Sequence, residues 1–499
     1  MLLVARTALA PARLKAAWWS SPRTDLLAGL VVALALIPEA ISFSIIAGVD
    51  PRVGLFASFT MAVAIAFTGG RPAMISAATG AMALVIAPLV KEHGVQYLLA
   101  ATIAAGLLQV LLGVLGVAKL MRFIPRSVMT GFVNALAILI FLAQLPHLLG
   151  ENWTVWALAA AGLVMIFGLP RVPRLTQIVP APLIAIISLT VFTVAVSVAA
   201  PTVGDMGKLP DSLPVPFLPD VPLTVNTLVV IAPYALTLAA VGLLESLLTA
   251  QLVDDATDTH SNKDREARGQ GIANVITGFF GGMAGCAMIG QTMINVKSGA
   301  RTRLSTLAAG VFLLILVVVL GDVVAIIPMA ALVAVMIFVS VATFDWHSIK
   351  PATLKRMPIG ETLVMATTVV VVVATHNLAV GVGVGVLVAM VVFARRVAHL
   401  AEVTSVLDPD GQIRVYAVTG QLFFASTNEL LDAFDYTGDP PTVIVDLTDA
   451  HIWDATTVAA LDQITAKYAR HDITVQITGL NKPSEKIHDS LSGHLTTGH

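Results

Sequence analysis

Charged side chains are scarce in this chain, and the scarcity decides its class. Only 12% of its 499 residues are charged, whereas 57% are hydrophobic. Since roughly a quarter of the residues of a soluble domain are charged, the composition indicates a polytopic membrane protein. The formal net charge of -2 provides no basic stripe of the kind that neutralises nucleic-acid phosphates, so we expect no nucleic-acid partner.

Cysteine is nearly absent, and this excludes two kinds of stabilising element. The single cysteine, Cys286, cannot form an intramolecular disulfide or contribute to a Cys-rich metal site. No grouping of Ser, His and Asp and no cluster of metal-ligating side chains stands out in the sequence. We therefore expect neither an enzymatic activity nor a cofactor.

Long apolar runs are what the sequence has instead. A helix needs about 20 apolar residues to cross a bilayer, and fourteen apolar runs occur, two of them short and irregular. They are centred near residues 36, 60, 81, 107, 133, 160, 189, 240, 276, 291, 312, 335, 367 and 387. The predicted fold class is an all-α polytopic membrane domain of fourteen spans.

The distribution of Lys and Arg orients these spans, because cytoplasmic connections hold the excess of both residues. If the N-terminus is cytoplasmic, the outward connections hold only Arg52, Lys91 and Lys208. We therefore expect both termini in the cytoplasm and the protein in the cytoplasmic membrane. Residues 1–24 are then an amphipathic cytoplasmic segment rather than a cleaved signal, and the Pro-rich segment 200–227 is extracellular.

The composition divides the chain into domains. Residues 405–499 alternate strand-like segments such as TVIVDLT with helix-like segments such as STNELLDAFD, which is typical of a small α/β domain. We expect this domain to be cytoplasmic. The transmembrane domain, 25–398, divides at the Pro-rich segment into two repeats, about 25–200 and 228–398. With seven spans in each, the second repeat has inverted topology.

The two short runs occupy matching positions, third in each repeat. They read RPAMISAATGAMALVI (71–86) and GGMAGCAMIGQTMINV (281–296). Non-helical backbone is tolerated at membrane depth only where protein or a water-filled cavity surrounds it. In each run a short extended piece, 73–77 or 283–287, is predicted to lead into a helix that begins near Thr79 or Ile289.

Two helix N-termini that face each other favour an anion, because each presents unpaired N–H groups and about half a positive charge. Secondary transporters built from inverted repeats hold their substrate at such half-helix ends. Glycines that let the backbone approach a ligand and side chains that donate hydrogen bonds are both present: Gly80, Gly285, Gly290, Thr79, Gln291 and Thr292. The alternative is that both segments are small-residue packing surfaces.

Longer motifs resemble those of the sulfate permease (SulP) family of anion transporters. The first span, IPEAISFSIIAGVDPRVGLFAS, is similar to the family's Pro-Gln-x-x-Ala signature, and ESLLTAQLVDD, GQGIANVITGFFGGMAG and NVKSGARTRLS follow in family order. The tail VIVDLTDAHIWDATTVAALD resembles the STAS domain that follows the transport domain in this family. The resemblance implies two intertwined seven-span repeats, divided into a mobile core domain and a gate domain, in a homodimer.

Two positions depart from the family pattern. The Gln found in the first span of many members is Glu39 here, and the Arg found in their tenth span falls on Gln291. The segment GCAMIGQTMINVKSG resembles instead the bicarbonate-transporting bacterial branch. Because a fixed positive charge is lost, we expect symport of the anion with a cation that supplies it.

Two carboxylates interrupt the apolar spans, Glu39 and Glu245. An intramembrane ionisable group is costly unless it is paired, protonated or exposed to water, so it is a functional candidate by default. The resemblance implies that Glu245 lies where related members hold the coupling cation, with Thr249 as a second oxygen ligand one turn along. It also places Glu39 beside the half-helix ends, with Phe43 as an apolar wall. A structural hydrogen bond to a helix end is the alternative for each carboxylate.

These residues define the predicted sites. The substrate-binding set is Glu39, Phe43, Thr79, Gly80, Ala287, Met288, Gly290, Gln291 and Thr292. The cation-coupling set is Glu245, Glu39 and Thr249, and the one candidate metal site is sodium at Glu245 and Thr249.

The sequence therefore predicts a secondary active transporter of a small anion, which can be sulfate, bicarbonate or a small dicarboxylate. Proton symport with alternating access is the favoured mechanism, and sodium-coupled bicarbonate symport is the alternative. A nucleobase permease of the same architecture and a membrane sensor that signals through its STAS domain are less favoured. Its partners are the anion, the coupling ion, the bilayer and a second copy of the chain.

The tail lacks a residue that many regulatory STAS proteins use. In those proteins a phosphorylatable Ser often follows the Asp at the start of a helix, but here Asp454 is followed by Ala455. We expect the phosphoswitch to be absent. A role of the tail in trafficking or stability is favoured over a regulatory surface.

Overall fold

The structure is a computed structural model that describes residues 17–119, 124–149, 152–169, 181–398 and 401–494. Of the predicted N-terminal segment 1–24, residues 1–16, with Arg6, Arg13 and Lys15, lie outside the described residues. Contacts separate the chain into two compact units, Met1–Val386 and Leu387–His499, and each is described by itself. The predicted domain boundary between 398 and 405 stays a prediction.

Each of the fourteen predicted span centres falls within a helix of the described chain. The first seven helices are α1 (Pro22–Ile46), α2 (Pro51–Thr68), α3 (Gly80–His93), α4 (Val95–Val114), α5 (Arg126–Leu142), α6 (Trp153–Gly168) and α7 (Ala181–Val196). The next seven are α8 (Val225–Thr257), α9 (Lys263–Phe279), α10 (Ile289–Lys297), α11 (Arg303–Val319), α12 (Met329–Thr343), α13 (Ile359–Thr375) and α14 (Leu378–Ala398).

The helices differ in whether they can cross a bilayer unaided. Within the described residues, six are long and apolar enough: α1, α2, α4, α5, α8 and α14. Five more, α6, α7, α11, α12 and α13, are apolar but shorter. Of the remaining three, α3 and α10 are the half-helices of the broken segments, and α9 begins with several charged residues. Fourteen crossings therefore stay a prediction.

Local sequence signals explain several helix ends. Proline stands in the first turn of α1 and is the first residue of α2, where its missing N–H costs no helical hydrogen bond. The hydroxyl of Thr224 accepts a hydrogen bond from the backbone N–H of Thr227 and so caps α8. At the other end α8 stops at Asp258, whose backbone is left-handed with φ 50°.

The membrane helices pack as two groups. In the first group α9 lies against α4 and α2, α11 lies against α1 and α2, and α8 contacts α4, α9, α3 and α10. In the second group α13 lies against α5, and α12 lies against α6 and α5. The groups meet where α12 contacts α1 and where α5 contacts α3. This division matches the core and gate domains that the family resemblance implies.

The two broken segments pair with each other. Strand β1 (Ser76–Ala78) and strand β2 (Gly285–Ala287) are antiparallel, and Cys286 lies opposite Ala77. Helix α3 follows β1 after Thr79, and α10 follows β2 after Met288. The predicted helix starts are thus confirmed, and the extended pieces, predicted at 73–77 and 283–287, are strands at 76–78 and 285–287. Antiparallel pairing of two matched segments is the arrangement that an inverted repeat requires.

Side chains and backbone groups of the surrounding segments satisfy the outer backbone groups of this short ribbon. The N–H of Gly285 donates to Oδ1 of Asn274 at 2.8 Å, and the N–H of Ala287 donates to Oγ of Ser246 at 3.1 Å. On the other strand, the N–H of Ala78 donates to Oγ of Ser58 at 3.3 Å. Because a buried backbone group without a partner is costly, these side chains let the chain be extended there.

An ionic network anchors the segment that leads into β1. The Nη1 atom of Arg71 lies 3.0 Å from Oδ1 of Asp254 in α8, and both side chains are buried. A carboxylate oxygen of Glu266 in α9 accepts the N–H groups of Gly70 at 2.6 Å and of Arg71 at 2.9 Å. The first broken segment is therefore tied to α8 and α9, which belong to the opposite repeat.

The second unit contains a four-stranded sheet in the order β3, β4, β5, β6. Its strands are β3 (Glu402–Leu407), β4 (Ile413–Leu422), β5 (Thr442–Ile452) and β6 (Thr474–Thr478), and its helices are α15 (Thr427–Asp432), α16 (Ala455–Ala469) and α17 (Lys482–Leu491). The pair β3–β4 is antiparallel, and the pairs β4–β5 and β5–β6 are parallel. The α/β character predicted for the tail is confirmed.

A buried aspartate organises the polar part of this second core. Both Tyr416 and Tyr468 donate their hydroxyl hydrogens to Oδ2 of Asp439, and Arg414 forms an ion pair with Oδ1 at 2.9 Å. Burial, reinforced by the Asp439 carboxylate, raises the pKa of both tyrosines, so they stay neutral donors. At the start of α16, Asp454 caps the helix by accepting the N–H of Thr457.

The ribbon generates a prediction about two glycines. A Cβ added at Gly285 would lie 2.5 Å from the carbonyl oxygen of Ala77, whereas one added at Gly290 meets nothing within 4 Å. We expect Gly285→Ala to destabilise the protein by about 1–3 kcal/mol, because the strands must move apart. Thermal unfolding of the detergent-purified protein measures this, with Gly290→Ala as the matched control. Equal midpoints for both variants would contradict the close strand packing.

Candidate functional site

A cavity of about 90 Å³ lies between the half-helix ends and the second helix group. The first group lines it with Glu39 and Phe43 from α1, Thr79 and Gly80 at the start of α3, Glu245 from α8, and Met288, Ile289 and Gly290 at the start of α10. The second group lines it with Phe132, Val133, Leu136 and Ile140 from α5, and Val339 and Thr343 from α12. One wall therefore carries the polar groups and the other is almost wholly apolar.

The two half-helices begin at this cavity. Thr79 caps α3, since its hydroxyl oxygen accepts the N–H of Met82 at 3.3 Å. The first N–H groups of a helix have no intrahelical acceptor, so both helix starts present donors there. Gly290 is exposed to the cavity with open space beside it, whereas a Cβ at Gly80 would lie 3.0 Å from the Phe43 ring. The site is closely walled at α3 and open at α10.

Glu39 is held by the residue that replaces the expected arginine. The side-chain amide nitrogen of Gln291 donates to Oε1 of Glu39 at 2.8 Å. Both side chains are buried, and the amide oxygen of Gln291 has no hydrogen-bond partner among the described residues. The two residues that depart from the family pattern, Glu39 and Gln291, thus contact each other. Gln291 places a neutral amide where many family members have a cation.

Glu245 is held by the single cysteine. The thiol of Cys286 donates to Oε2 of Glu245 at 2.9 Å, and the same sulfur lies 3.2 Å from the hydroxyl oxygen of Thr79. The Cys286 side chain is fully buried. Our sequence reasoning missed Cys286 as a functional candidate because it considered only disulfides and metal sites. Its position within the second broken segment was the available signal.

Four of the predicted site residues do not line the cavity and make other contacts instead: Ala287, Gln291, Thr292 and Thr249. The hydroxyl of Thr292 accepts the N–H of Ile75 at 3.0 Å, the N–H of Ala287 is bonded to Ser246, and Gln291 holds Glu39. The hydroxyl of Thr249 donates to the carbonyl oxygen of Glu245 at 2.7 Å within α8. These contacts support the cavity wall, and a direct role in binding stays a prediction for each residue.

The apolar wall was also missed. Phe132, Leu136, Ile140 and Val339 belong to ordinary apolar spans, and the hydrophobic pattern of a span does not show which neighbour its residues face. The second group therefore contributes a wall that only the packing of α5 and α12 reveals.

The charges at the cavity are all acidic. The residues that line it include Glu39 and Glu245 but no Lys, Arg or His. Within the described parts of the chain, no group of three or more His, Cys, Asp and Glu side chains is arranged to hold a metal ion. The polar groups at the cavity are therefore two helix starts, two threonines and two carboxyls, without a fixed basic side chain.

Comparison with known proteins identifies both units. The sulfate permease family signature matches residues 23–368, and the STAS domain signature matches residues 404–492. The putative sulfate transporter YbaR of Bacillus subtilis (strain 168) is 56% identical over 474 residues, which cover 95% of this chain and 98% of that protein.

Two solved structures agree with this assignment. The transmembrane domain of a cyanobacterial bicarbonate transporter, BicA, is 26% identical with a TM-score of 0.65, covering 74% of this chain and 97% of that one. The murine Slc26a9 anion transporter, in its inward-facing state, has a TM-score of 0.78 at 16% identity and shows the same fold over 95% of this chain and 88% of its own. The resemblance drawn from the motifs is confirmed: the chain belongs to the sulfate permease family, whose members are anion transporters rather than enzymes, and it has a C-terminal STAS domain.

Proposed function

We propose that this protein is a secondary active transporter that carries a small anion across the cytoplasmic membrane by proton symport. The observation that supports this best is the cavity where the starts of α3 and α10 meet, lined by Glu39 and Glu245. Paired half-helix ends provide an anion with N–H donors and positive dipole ends. The two carboxyls provide sites for a proton.

Proton coupling follows from the charge of the cavity. An anion beside two ionised carboxylates at low dielectric faces repulsion of several kcal/mol, and the lining residues include no basic side chain that offsets it. A positive charge must therefore enter with the anion. Protonation of Glu245 supplies it without any further ligand.

Sodium is the alternative coupling ion, and the contacts of Glu245 favour the proton. Sodium needs several oxygen ligands, but the contact made by the Glu245 carboxylate is a hydrogen bond from the thiol of Cys286. The predicted second ligand, Thr249, does not line the cavity, and its hydroxyl hydrogen is directed to a backbone carbonyl. The likeness to a bicarbonate transporter keeps sodium-coupled bicarbonate symport as the second candidate.

The two helix groups suggest how access alternates. The polar wall belongs wholly to the first group and the apolar wall to the second. If the first group moves as a body against the second, the half-helix ends travel with the anion while the apolar wall stays behind and seals the path. Transport then needs no rearrangement of the ribbon itself.

The substrate class is a small anion, with sulfate, bicarbonate and a small dicarboxylate as candidates. The relatives include a putative sulfate transporter and a bicarbonate transporter. An uptake screen of sulfate, bicarbonate and succinate in proteoliposomes, with sodium and pH gradients imposed separately, tests the proposal. Uptake of none of them would refute it, as expected for a membrane sensor or a nucleobase permease.

The remaining features belong to the same proposal. The transport domain occupies 25–398 in two inverted repeats, the STAS domain occupies 405–499, and the protein works as a homodimer with both termini in the cytoplasm. The Lys and Arg distribution supports the orientation. The pair Asp454 and Ala455 supports a STAS tail without a phosphoswitch.

The first prediction from the proposed function concerns the half-helix ends. Gly290→Val places a branched side chain in the open space at α10, and Thr79→Val removes the hydroxyl at α3, so each should abolish uptake. Both proteins should remain folded, with Thr79→Val losing about 1 kcal/mol of stability with its helix cap. Uptake and size-exclusion profiles measure this, and Thr79→Ser should restore transport. Uptake at the wild-type rate by both valine variants would remove the proposed anion site.

The second prediction concerns coupling. Glu245→Gln imitates the protonated carboxyl, so it should still bind the anion and exchange it across the membrane but should not accumulate it when the outside is made acidic. Tracer exchange and pH-driven uptake in sodium-free buffer separate these activities. Glu361→Gln, an exposed position in α13, is the control. If Glu245→Gln still concentrates the anion, Glu245 is not the coupling residue and Glu39 becomes the candidate.

The third prediction concerns the tail. All residues that line the cavity lie between Glu39 and Thr343, so a chain that ends after residue 400 should bind the anion within a few-fold of the full-length affinity. Rates or expression can fall. Calorimetry on the two purified proteins measures the affinities, and loss of binding by the shorter chain would show that the tail is part of the site.

A further inference from the structure

Cys286 connects the proposed coupling residue to the proposed anion site. Its sulfur contacts Oε2 of Glu245 at 2.9 Å and Oγ1 of Thr79 at 3.2 Å, and both of these side chains line the cavity. The position of the sulfur is set by the ribbon, since Cys286 pairs with Ala77 at the centre of β1. Because the strand pairing holds Cys286 between Glu245 and Thr79, a change in its hydrogen bond to one of them can alter its hydrogen bond to the other.

The directions of the hydrogen bonds from Cys286 to Glu245 and to Thr79 depend on the position of the thiol hydrogen. A thiol has a single hydrogen to donate, while its sulfur can also accept. When Glu245 is ionised it can only accept, so the thiol hydrogen points to Glu245 and the sulfur accepts the hydroxyl hydrogen of Thr79. In that arrangement the Thr79 hydroxyl is directed away from the anion.

Protonation of Glu245 permits the reverse arrangement. The new carboxyl hydrogen can be donated to the sulfur, and the thiol hydrogen then turns to the hydroxyl oxygen of Thr79. The sulfur then donates to Thr79 and no longer accepts from it, while the Thr79 oxygen also accepts the N–H of Met82. The Thr79 hydrogen must therefore find another acceptor, and a bound anion is such an acceptor beside the Glu39 carboxylate, whose Oε1 already accepts the Gln291 amide.

We propose that Cys286 is a positioning residue that couples protonation of Glu245 to anion binding by reversing this chain of hydrogen bonds. One proton enters from the aqueous side of the cavity and binds to a Glu245 oxygen. No bond to sulfur or carbon forms or breaks, and the thiol and hydroxyl hydrogens only rotate. The inference rests on the proposed proton symport and adds the path by which the proton favours the anion.

Few other titratable groups face Glu245 in the described chain. Glu39 is across the cavity, with its carboxylate bonded to Gln291. The elements packed against α8 carry their charged residues away from the cavity: α3 and α10 in their last turns, and α9 in its first two turns. The helix α4 contains no Asp, Glu, Lys, Arg or His. A pH-dependent change in binding that is transmitted through Thr79 therefore points to the thiol.

The test is the pH dependence of anion affinity in the full-length purified protein. The probe is whichever of sulfate, bicarbonate and succinate the wild type takes up, titrated calorimetrically between about pH 6.5 and 8.5. The wild type should bind at least about tenfold more tightly at the acidic end, as expected for gaining one hydrogen bond to a charged ligand. Cys286→Ala should lose about the tenfold that the hydrogen bond supplies and keep only the pH dependence that comes from direct repulsion between Glu245 and the anion. Cys286→Ser, which keeps one donor and one acceptor, should restore the part that is lost.

A purely structural role for the thiol has a different result. Cys286→Ala would then weaken binding by the same factor at every pH and would keep the full wild-type slope. That outcome overturns the inference. If Cys286→Ala does not fold, the slope of Cys286→Ser decides, since a serine variant that binds with no pH dependence also contradicts the relay.

The Glu245 variant separates this inference from the proposed function. In a Glu245→Gln background, exchange of Cys286 for Ala should change affinity equally at all pH values, because the proton site is gone. If Glu245→Gln itself retains pH-driven accumulation, the proposed coupling fails and the relay with it. If Glu245→Gln behaves as proposed and Cys286→Ala keeps the wild-type slope, only the relay fails.

Discussion

The pairing of two unwound segments at membrane depth is the constraint on which the rest of this structure depends. Backbone that leaves the helix inside a membrane must find partners within the protein. Here β1 and β2 provide them for each other, and Asn274, Ser246 and Ser58 provide them for the outer edges. Because these side chains come from α9, α8 and α2, satisfying the ribbon also brings together helices from both repeats.

The same constraint produces the site. A chain that is extended through β1 and β2 must restart as a helix, and each restart leaves the first N–H groups without intrahelical acceptors. The restarts at Thr79 and Met288 fall at one cavity because the strands are antiparallel and in register. The proposed anion site, which has no basic side chain, is therefore a consequence of how the backbone is satisfied, and under that proposal the carboxyls of Glu39 and Glu245 call for a coupling proton.

Three residues behind the cavity wall hold the groups that line or support the cavity. Gln291 holds Glu39, Cys286 holds Glu245, and Thr292 holds the backbone of the opposite segment. Each of these residues comes from the second broken segment and contacts another element. Both carboxyls are thus hydrogen-bonded to the segment that positions the half-helix ends, and the proposed coupling of two ligands relies on these contacts.

Much of this protein is determined by its sequence because hydrophobic runs and helix-breaking segments are local patterns. Such patterns predict the fourteen helical regions and the α/β tail. They also predict the extended pieces near residues 73–77 and 283–287 and the helix starts near Thr79 and Ile289. Contacts between distant segments are not local, and only the tertiary structure decided them. It placed Gln291 against Glu39 and Cys286 between Glu245 and Thr79, moved Thr249 and Thr292 out of the cavity lining, and supplied an apolar wall from α5 and α12. The reason is that the hydrogen-bond partner of a buried side chain depends on strand register and helix packing across more than 200 residues of chain, as between Thr79 and Cys286.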